Sequence, residues 1–241
     1  MSHRILVPFE LPDADPVPAV LVEDLAPMDV VVLGHYGLPE QTPMDAARAQ
    51  FEDEAQAELD ELARPFREAG STVTTRLVFG KDRAKTIDRV TLEEDCDAEL
   101  DPAPTEGIER ILVPLVDARN LDRLEDFVAA LCEEQTTEIT LFHVAERGFA
   151  DEESEDPGAV EEMLRSARDR LIEDGFDPDL VDVAVVEDEG HDEAILAKAE
   201  AYDAVVMGEA DPNVRERIFG TLPDRIARRT GDPVIVVRRN V

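Results

Sequence analysis

One loop of the sequence combines residue types that could bind an anion. An apolar run ends at Gly208, a polar loop follows, and Gly220 and Thr221 stand where a helical pattern begins. Glycines let backbone N–H groups approach a ligand closely, and a helix start carries partial positive charge, so this arrangement could hold a phosphate. Thr221 and Asp224 also form a capping-box pattern, which opens many helices that bind no ligand. Both interpretations stay open at this point.

The surroundings of this loop are basic in a chain that is otherwise acidic. Between Val214 and Arg239 the sequence has seven arginines against three acidic residues, whereas the whole chain has a formal net charge of −34. Such a basic stretch can attract an anion. The alternative is that the arginines pair with neighbouring carboxylates or lie at an interface between subunits. The seven are Arg215, Arg217, Arg225, Arg228, Arg229, Arg238 and Arg239.

Alternating strand and helix patterns must position the loop. Short runs rich in Val, Ile and Leu alternate with longer amphipathic segments, a pattern typical of a parallel sheet covered by helices on both faces. In the second half we expect strands near 110–115, 138–144, 181–186, 203–207 and 233–238, and helices near 121–134, 157–174, 191–201 and 222–230. In the first half we expect strands near 4–8, 29–34, 72–79 and 97–101, a long helix near 44–69, another helix near 83–94, and a short helix at most within 11–27.

An internal repeat divides the chain. The pentad that starts at Arg4 recurs at Arg110, and the pair that starts at Asp97 recurs at Asp203, both with an offset of 106 residues. A shared offset indicates tandem copies. The fold class expected is therefore α/β, with two tandem doubly wound parallel-sheet (Rossmann-like) domains.

The first copy is shorter than the second. The linker Asp101-Pro102-Ala103-Pro104 follows its fourth strand and leads directly into the second copy, so no fourth helix or fifth strand fits before residue 108. We predict a truncated domain over 1–107 and a complete domain over 108–241.

Charge and composition exclude several classes of partner. A net charge of −34 repels nucleic acid and anionic membranes, and no apolar run approaches the length of a membrane span. No leader pattern is present, so we expect a cytoplasmic protein. The excess of acid, with only three lysines among 24 basic residues, indicates a salt-rich cytoplasm such as that of a halophilic archaeon, because concentrated salt screens the self-repulsion.

Other catalytic patterns are missing from the sequence. The two cysteines have no CxxC spacing and are expected to be buried, and the four histidines are not at metal-ligand spacing. His35 and His143 end apolar runs, where a hydrogen-bonded or half-exposed histidine is the favoured interpretation over acid–base work. No nucleophile with a base is evident, and a calcium site in the acidic run 151–156 is only weakly indicated. The sequence therefore predicts no catalytic residues and no metal.

Several segments of the second copy resemble the universal stress protein family. They are Val113-Pro114, Leu141-Phe142-His143-Val144, Val205-Val206-Met207-Gly208, Gly220-Thr221 and Pro233-Val234-Ile235-Val236-Val237. The resemblance implies strand order 3-2-1-4-5, a cytoplasmic role in stress resistance or signalling, frequent dimers through the last strand, and binding of ATP or another adenine nucleotide with Mg²⁺ in one subset. The candidate nucleotide site it implies consists of Gly208, Gly220, Thr221, Leu222, Asp117, Val144, Arg215 and Arg217.

The sequence departs from the ATP-binding pattern of that family. Asp211 replaces the second glycine, the following spacer has eight residues rather than nine, and Asp117 lies one place late for the ribose-binding position. In the first copy Glu10 takes that position and Asp101-Pro102 replaces the glycine loop, so we expect a structural or interaction domain there.

Three functions compete on this evidence. We favour a regulatory or interaction protein of the stress response that does not bind ATP in the standard mode. The alternative is a nucleotide sensor that uses the loop 208–221, and the third is an enzyme, with at most slow nucleotide hydrolysis.

Because the first copy lacks a fifth strand, the strand 233–238 would keep an open edge, which predicts a homodimer through it; other protein partners are not specified.

Overall fold

A computed structural model describes residues 2–39, 41–115, 121–132, 136–146, 157–188, 190–209 and 221–238. The chain divides into two compact units, Met1–Pro102 and Ala103–Val241. Each unit is a parallel sheet with helices in the crossovers, so the predicted α/β fold class is confirmed. The expected boundary between residues 107 and 108 stays a prediction.

The first unit contains four parallel strands in the order β3-β2-β1-β4. Its elements are β1 (Arg4–Leu11), α1 (Ala19–Asp24), β2 (Asp29–Gly37), α2 (Met44–Ala69), β3 (Val73–Gly80), α3 (Arg83–Glu93) and β4 (Ala98–Asp101). In the continuously described stretch 41–115, no helix or strand lies between Asp101 and Arg110. This agrees with the expectation that the first copy ends after its fourth strand.

The second unit contains five parallel strands in the order β7-β6-β5-β8-β9 among its described residues. Numbered within the unit, this is the expected order 3-2-1-4-5. Its elements are β5 (Arg110–Pro114), α4 (Leu121–Leu131), β6 (Glu138–Glu146), α5 (Pro157–Glu173), a 3-10 turn (Pro178–Leu180), β7 (Val181–Asp188), α6 (His191–Ala199), β8 (Ala204–Gly208), α7 (Leu222–Thr230) and β9 (Val234–Val237).

The inner strands are buried on both faces, which explains their continuous apolar runs. Ile5, Leu6 and Val7 are consecutive in β1 and all have 0% exposure. Consecutive side chains of a strand point to opposite faces, so a run of this kind requires helices on both sides. Cys96 and Cys132 are also buried, as expected, and both are free cysteines.

The repeat positions form the same contact in both units. The backbone N–H of Arg4 donates to Asp97 Oδ2 at 2.8 Å, and the backbone N–H of Arg110 donates to Asp203 Oδ2 at 2.8 Å. In each unit the carboxylate thus satisfies the N–H at the start of the first strand, next to the fourth strand. This shared hydrogen bond accounts for an aspartate at the same place in both units.

Local sequence signals set the helix ends. Asp82 caps α3, where its side chain accepts from the Lys85 N–H at 3.1 Å. Gly70 and Gly231 end α2 and α7 with φ values of 103° and 75°, in the left-handed region that glycine adopts most easily. These residues define where α3 begins and where α2 and α7 end.

Candidate functional site

The structure describes half of the predicted nucleotide site. Gly208 ends β8 and is exposed, Thr221 precedes α7, Leu222 is the first residue of α7, and Val144 lies in β6. The others, Asp117, Arg215, Arg217 and Gly220, lie outside the described residues, as does Asp211.

Two of the described candidates belong to the apolar core. Val144 is 2% exposed and packs in the cluster that also contains Met207 and Ile226, with Leu222 packed against it. This cluster joins β6, β8 and α7. It fixes the start of α7 relative to the carboxyl ends of the strands, and it leaves little of Val144 accessible to a ligand.

The start of α7 already carries a negative charge of the protein itself, the Asp224 carboxylate. The Asp224 carboxylate accepts from the Thr221 backbone N–H at 3.0 Å and from the Thr221 hydroxyl at 2.7 Å. The capping box that the spacing of Thr221 and Asp224 predicted is therefore present. A carboxylate placed here is stabilised by the helix dipole and opposes a second anion at the same helix end.

Two arginines of the basic stretch pair with carboxylates of α6 and with Glu200, the residue that follows α6. Arg225 Nη1 lies 2.8 Å from Asp192 Oδ2, and its Nη2 pairs with Glu193. Arg229 lies 2.6 Å from Glu200 through Nε and 3.4 Å from Glu193 through Nη1. These contacts hold α7 against α6 and reduce the positive potential that the sequence count suggested.

A further pair stands beside Gly208. Arg238 Nη2 lies 3.5 Å from Glu209 Oε1, with the two side chains 11% and 13% exposed. The Glu209 N–H donates to the Val237 carbonyl at 2.7 Å, which carries the β8–β9 pairing one residue beyond Gly208. Three arginines of the basic stretch thus have carboxylate partners in the second unit.

Both strand-end histidines are buried, with 2% exposure each. His143 Nδ1 donates to the Leu115 carbonyl at 2.7 Å, as expected for a hydrogen-bonded histidine. His35 Nδ1 donates to Glu10 Oε2 at 3.0 Å, but His35 Nε2 is buried without a hydrogen-bond partner in the described part of the chain. The sequence offered no signal for this second nitrogen, because its surroundings come from β3 and α3.

His35 also occupies an informative position in the first sheet. The registers of β2 against β1 and of β6 against β5 place His35 where the second unit has Val144. One unit therefore has a buried imidazole at the position where the other has an apolar side chain of its core.

A buried carboxyl lies between α4 and α5. Glu125 is 4% exposed, its Oε1 has no hydrogen-bond partner among the described residues, and its Oε2 is 3.4 Å from Arg170 Nε. Arg170 also pairs with Asp122 at 2.6 Å and with Asp126 at 2.8 Å. Burial raises the pKa of Glu125 from 4.5 to about 7, against the opposing effect of Arg170. Sequence reasoning missed this group, because a glutamate on an amphipathic helix is usually exposed.

The described residues contain neither a cluster suited to a metal ion nor a helix suited to a membrane. No cluster of three or more His, Cys, Asp and Glu side chains within those ranges could hold a metal ion. No described helix is both long enough and apolar enough to span a membrane. The acidic run 151–156, where a calcium site was weakly indicated, lies outside the described residues.

Solved structures of universal stress proteins have a fold similar to that of this chain. A universal stress protein from Archaeoglobus fulgidus superposes with a TM-score of 0.65 at 18% identity, over 98% of this chain and 96% of that chain. A putative universal stress protein from Pseudomonas aeruginosa gives 0.53 at 16% identity, over 98% and 93%. A universal stress protein from Archaeoglobus fulgidus in complex with dAMP gives 0.41 at 18% identity, over 53% and 96%. No curated protein matches the chain.

The sequence itself also matches a family model. The model describes the universal stress protein family and covers residues 107–238, which include β5 to β9 and every element of the candidate site. The strand order of the second unit and the resemblance of its strand-end segments agree with this match. The chain belongs to the universal stress protein family.

Proposed function

We propose that this protein acts in the stress response as a regulatory or interaction protein, and that its second unit does not bind ATP in the mode usual for nucleotide-binding relatives. The observation that carries the proposal is the Asp224 carboxylate, which accepts from both the N–H and the hydroxyl of Thr221. A phosphate at this helix start would have to displace or tolerate that charge. We place the protein in the cytoplasm, without catalytic activity or at most with slow nucleotide hydrolysis.

The paired arginines support the same proposal. Arg225, Arg229 and Arg238 each have a carboxylate partner at 3.5 Å or less. Recruiting one of them to a phosphate would leave an acidic side chain without its partner. In a chain with a net charge of −34, that exchange is unfavourable.

The alternative, a nucleotide sensor, has one observation in its favour. A Cβ added to Gly208 would have no described atom within 4 Å, and this glycine does not have the positive φ that excludes other residues. Neither packing nor backbone geometry of the described residues therefore requires glycine at the end of β8. Close approach of a ligand would require it.

Thermal unfolding in molar KCl tests the choice, with ATP, ADP and AMP each added with and without Mg²⁺. A ligand at 100 times its dissociation constant stabilises the folded state by about 2.7 kcal/mol, which raises the melting temperature by several degrees. We expect no shift at millimolar nucleotide. A clear shift would refute the proposal and favour the sensor.

Substitution of Asp224 makes the test sharper. If Asp224 is the competing anion, Asp224→Asn should raise nucleotide affinity relative to the natural chain. Asp169→Asn is the matched control, because it removes one charge from the exposed surface of α5 in the same unit. Asp211→Gly tests the loop separately, since it restores the family's second glycine. Equal affinity in all variants would contradict the role given to Asp224.

A further inference from the structure

The strand β7 exposes several apolar side chains to solvent. Five large apolar residues are exposed in the described part of the chain, and three of them lie in this one strand. They are Val183, Val185 and Val186, with 41%, 45% and 37% exposure. An outer strand that exposes apolar side chains is a template for pairing with a strand of another chain.

The outer edge of β7 lacks the usual protection against such pairing. Among the described strands β7 pairs only with β6, in a continuous register from Val181 to Asp188. Protected edges carry a lysine, a proline or a bulge, and β7 has none of these. The outer strand of the first unit, β3, differs: it has Arg76 in its middle, paired with Glu93 and Glu94, and exposes no large apolar side chain.

Alternate residues of β7 direct their backbone groups to this outer edge. The Leu115 N–H donates to the Phe142 carbonyl at 2.8 Å, so even-numbered residues of β6 face β5 and odd-numbered ones face β7. In a parallel pair, the residue in register with one that faces its neighbour faces away. The N–H and C=O groups of Val183 and of the other odd-numbered residues of β7 therefore point outward. The Val181 carbonyl agrees with this geometry, because it accepts from a side chain, Arg168 Nε, at 2.9 Å.

We propose that two copies of this protein associate through β7, with the two strands antiparallel and related by a twofold axis at Ala184. In this register Val183 of each copy lies opposite Val185 of the other. Both residues direct their backbone groups outward, so each of the two valine pairs exchanges two hydrogen bonds. The four valines form one apolar stripe that two identical edges cover for each other.

The charges near the strand favour a second copy as the occupant. Arg168 donates to the carbonyls of Val181 and Pro178 and forms no ion pair with a carboxylate among the described residues. The proposed register places Glu187 of the other copy opposite Val181, on the side of the sheet that α5 covers. A guanidinium of one copy and a carboxylate of the other thus lie together at both ends of the contact.

Neighbouring registers are less favourable. Moving the axis by one residue in one direction places Asp182 opposite Asp188, and moving it in the other places Glu187 opposite Asp179. Like charges directly opposite each other destabilise a strand pair. The net charge of −34 on each copy is a further obstacle at low salt, and molar KCl screens it.

The molar mass of the full chain in molar KCl, measured by light scattering over a range of protein concentrations, tests the proposal. Val185→Pro removes an outward N–H and no hydrogen bond to β6, so it should halve the molar mass of the assembly. Thr75→Pro is the matched control, because Val30 faces β3 and the N–H of Thr75 therefore also points outward, in the other unit. A monomeric natural chain, or an unchanged molar mass in Val185→Pro, would overturn the proposal. Circular dichroism checks that both variants are folded.

A disulfide cross-link tests the register without a proline. The axis places Ala184 opposite the same residue of the other copy, and its backbone groups face β6. Cα atoms at such a non-hydrogen-bonded pair are about 4.5 Å apart, a separation that suits a disulfide. Ala184→Cys should therefore give a covalent dimer with oxidised glutathione, whereas the control Asp182→Cys, which lies opposite Val186, should not. The natural chain, whose two cysteines are buried, supplies the background.

The remaining outcomes assign the contact elsewhere. Dimers that persist in Val185→Pro and give no cross-link at position 184 belong to another surface, such as strand 233–238, and overturn the proposal. A monomeric chain that binds a peptide of alternating arginine and valine, and loses this binding in Val185→Pro, has a basic partner at β7 instead and also overturns it. No residue of the loop 208–221 takes part, so the nucleotide experiments decide the proposed function separately.

Discussion

Replacing the buried carboxyl Glu125 with glutamine should change how the stability of the protein depends on pH. Burial between α4 and α5 raises the pKa of Glu125 from 4.5 to about 7. A group whose pKa is higher in the folded state favours folding below its unfolded value, and this contribution is lost as pH rises through the folded value. At pH 8.5 the natural chain must keep a charge buried, whereas Glu125→Gln has none to bury.

The size of the effect follows from the pKa shift. Between the unfolded and the folded pKa, each pH unit changes the free energy of unfolding by about 1.4 kcal/mol, and the change levels off above the folded pKa of about 7. The interval from pH 5.5 to 8.5 contains about 1.5 such units, so the natural chain loses about 2 kcal/mol of stability relative to the variant. The variant should thus gain stability relative to the natural chain as pH rises. Arg170 keeps its contacts with Asp122 and Asp126 in both proteins.

Urea unfolding followed by circular dichroism, in molar KCl at both pH values, measures this difference. Glu161→Gln is the control, because Glu161 is exposed on α5 and only 3.8 Å from Arg165 in an ordinary surface pair. The control should show no pH-dependent difference from the natural chain. If Glu125→Gln behaved as the control does, the carboxyl would be hydrated in the folded protein and the reasoning from its burial would be wrong.

Three further expectations concern packing, salt and assembly. Gly34→Ala should lower the free energy of unfolding by roughly 1–3 kcal/mol. The added Cβ would lie 2.7 Å from Leu11 Cδ1 and 3.1 Å from Leu59 Cδ1, and both leucine side chains are buried. Urea unfolding measures the change, and the control Gly208→Ala should leave the free energy of unfolding nearly unchanged. The melting temperature should rise between low and molar KCl, because salt screens a net charge of −34, and a flat dependence would contradict the adaptation to salt inferred from composition. The homodimer through strand 233–238 depends on whether the outer edge of β9 is free to pair, and a monomer by light scattering in molar KCl would exclude it.

The sequence by itself determined the elements of this protein and their order. Buried strands such as β1 require continuous apolar runs, and helix starts require capping residues, so both leave local signals that one chain displays. The recurrence of Asp97 as Asp203 was visible for a similar reason, since each aspartate supplies the carboxylate that accepts the backbone N–H at the start of the first strand of its unit. The capping box of Thr221 and Asp224 was also visible in the sequence, because its two residues are only three positions apart.

Only the tertiary structure decided which charged and polar side chains are paired or buried and which can still contact a ligand. The count of arginines near the loop did not reveal that Arg225 and Arg229 pair with α6, about 30 residues away along the chain. The burial of Glu125 and the unpaired Nε2 of His35 also depend on elements distant in sequence that pack against them. Desolvation and pairing are properties of surroundings in space, and local patterns of residue type do not encode them.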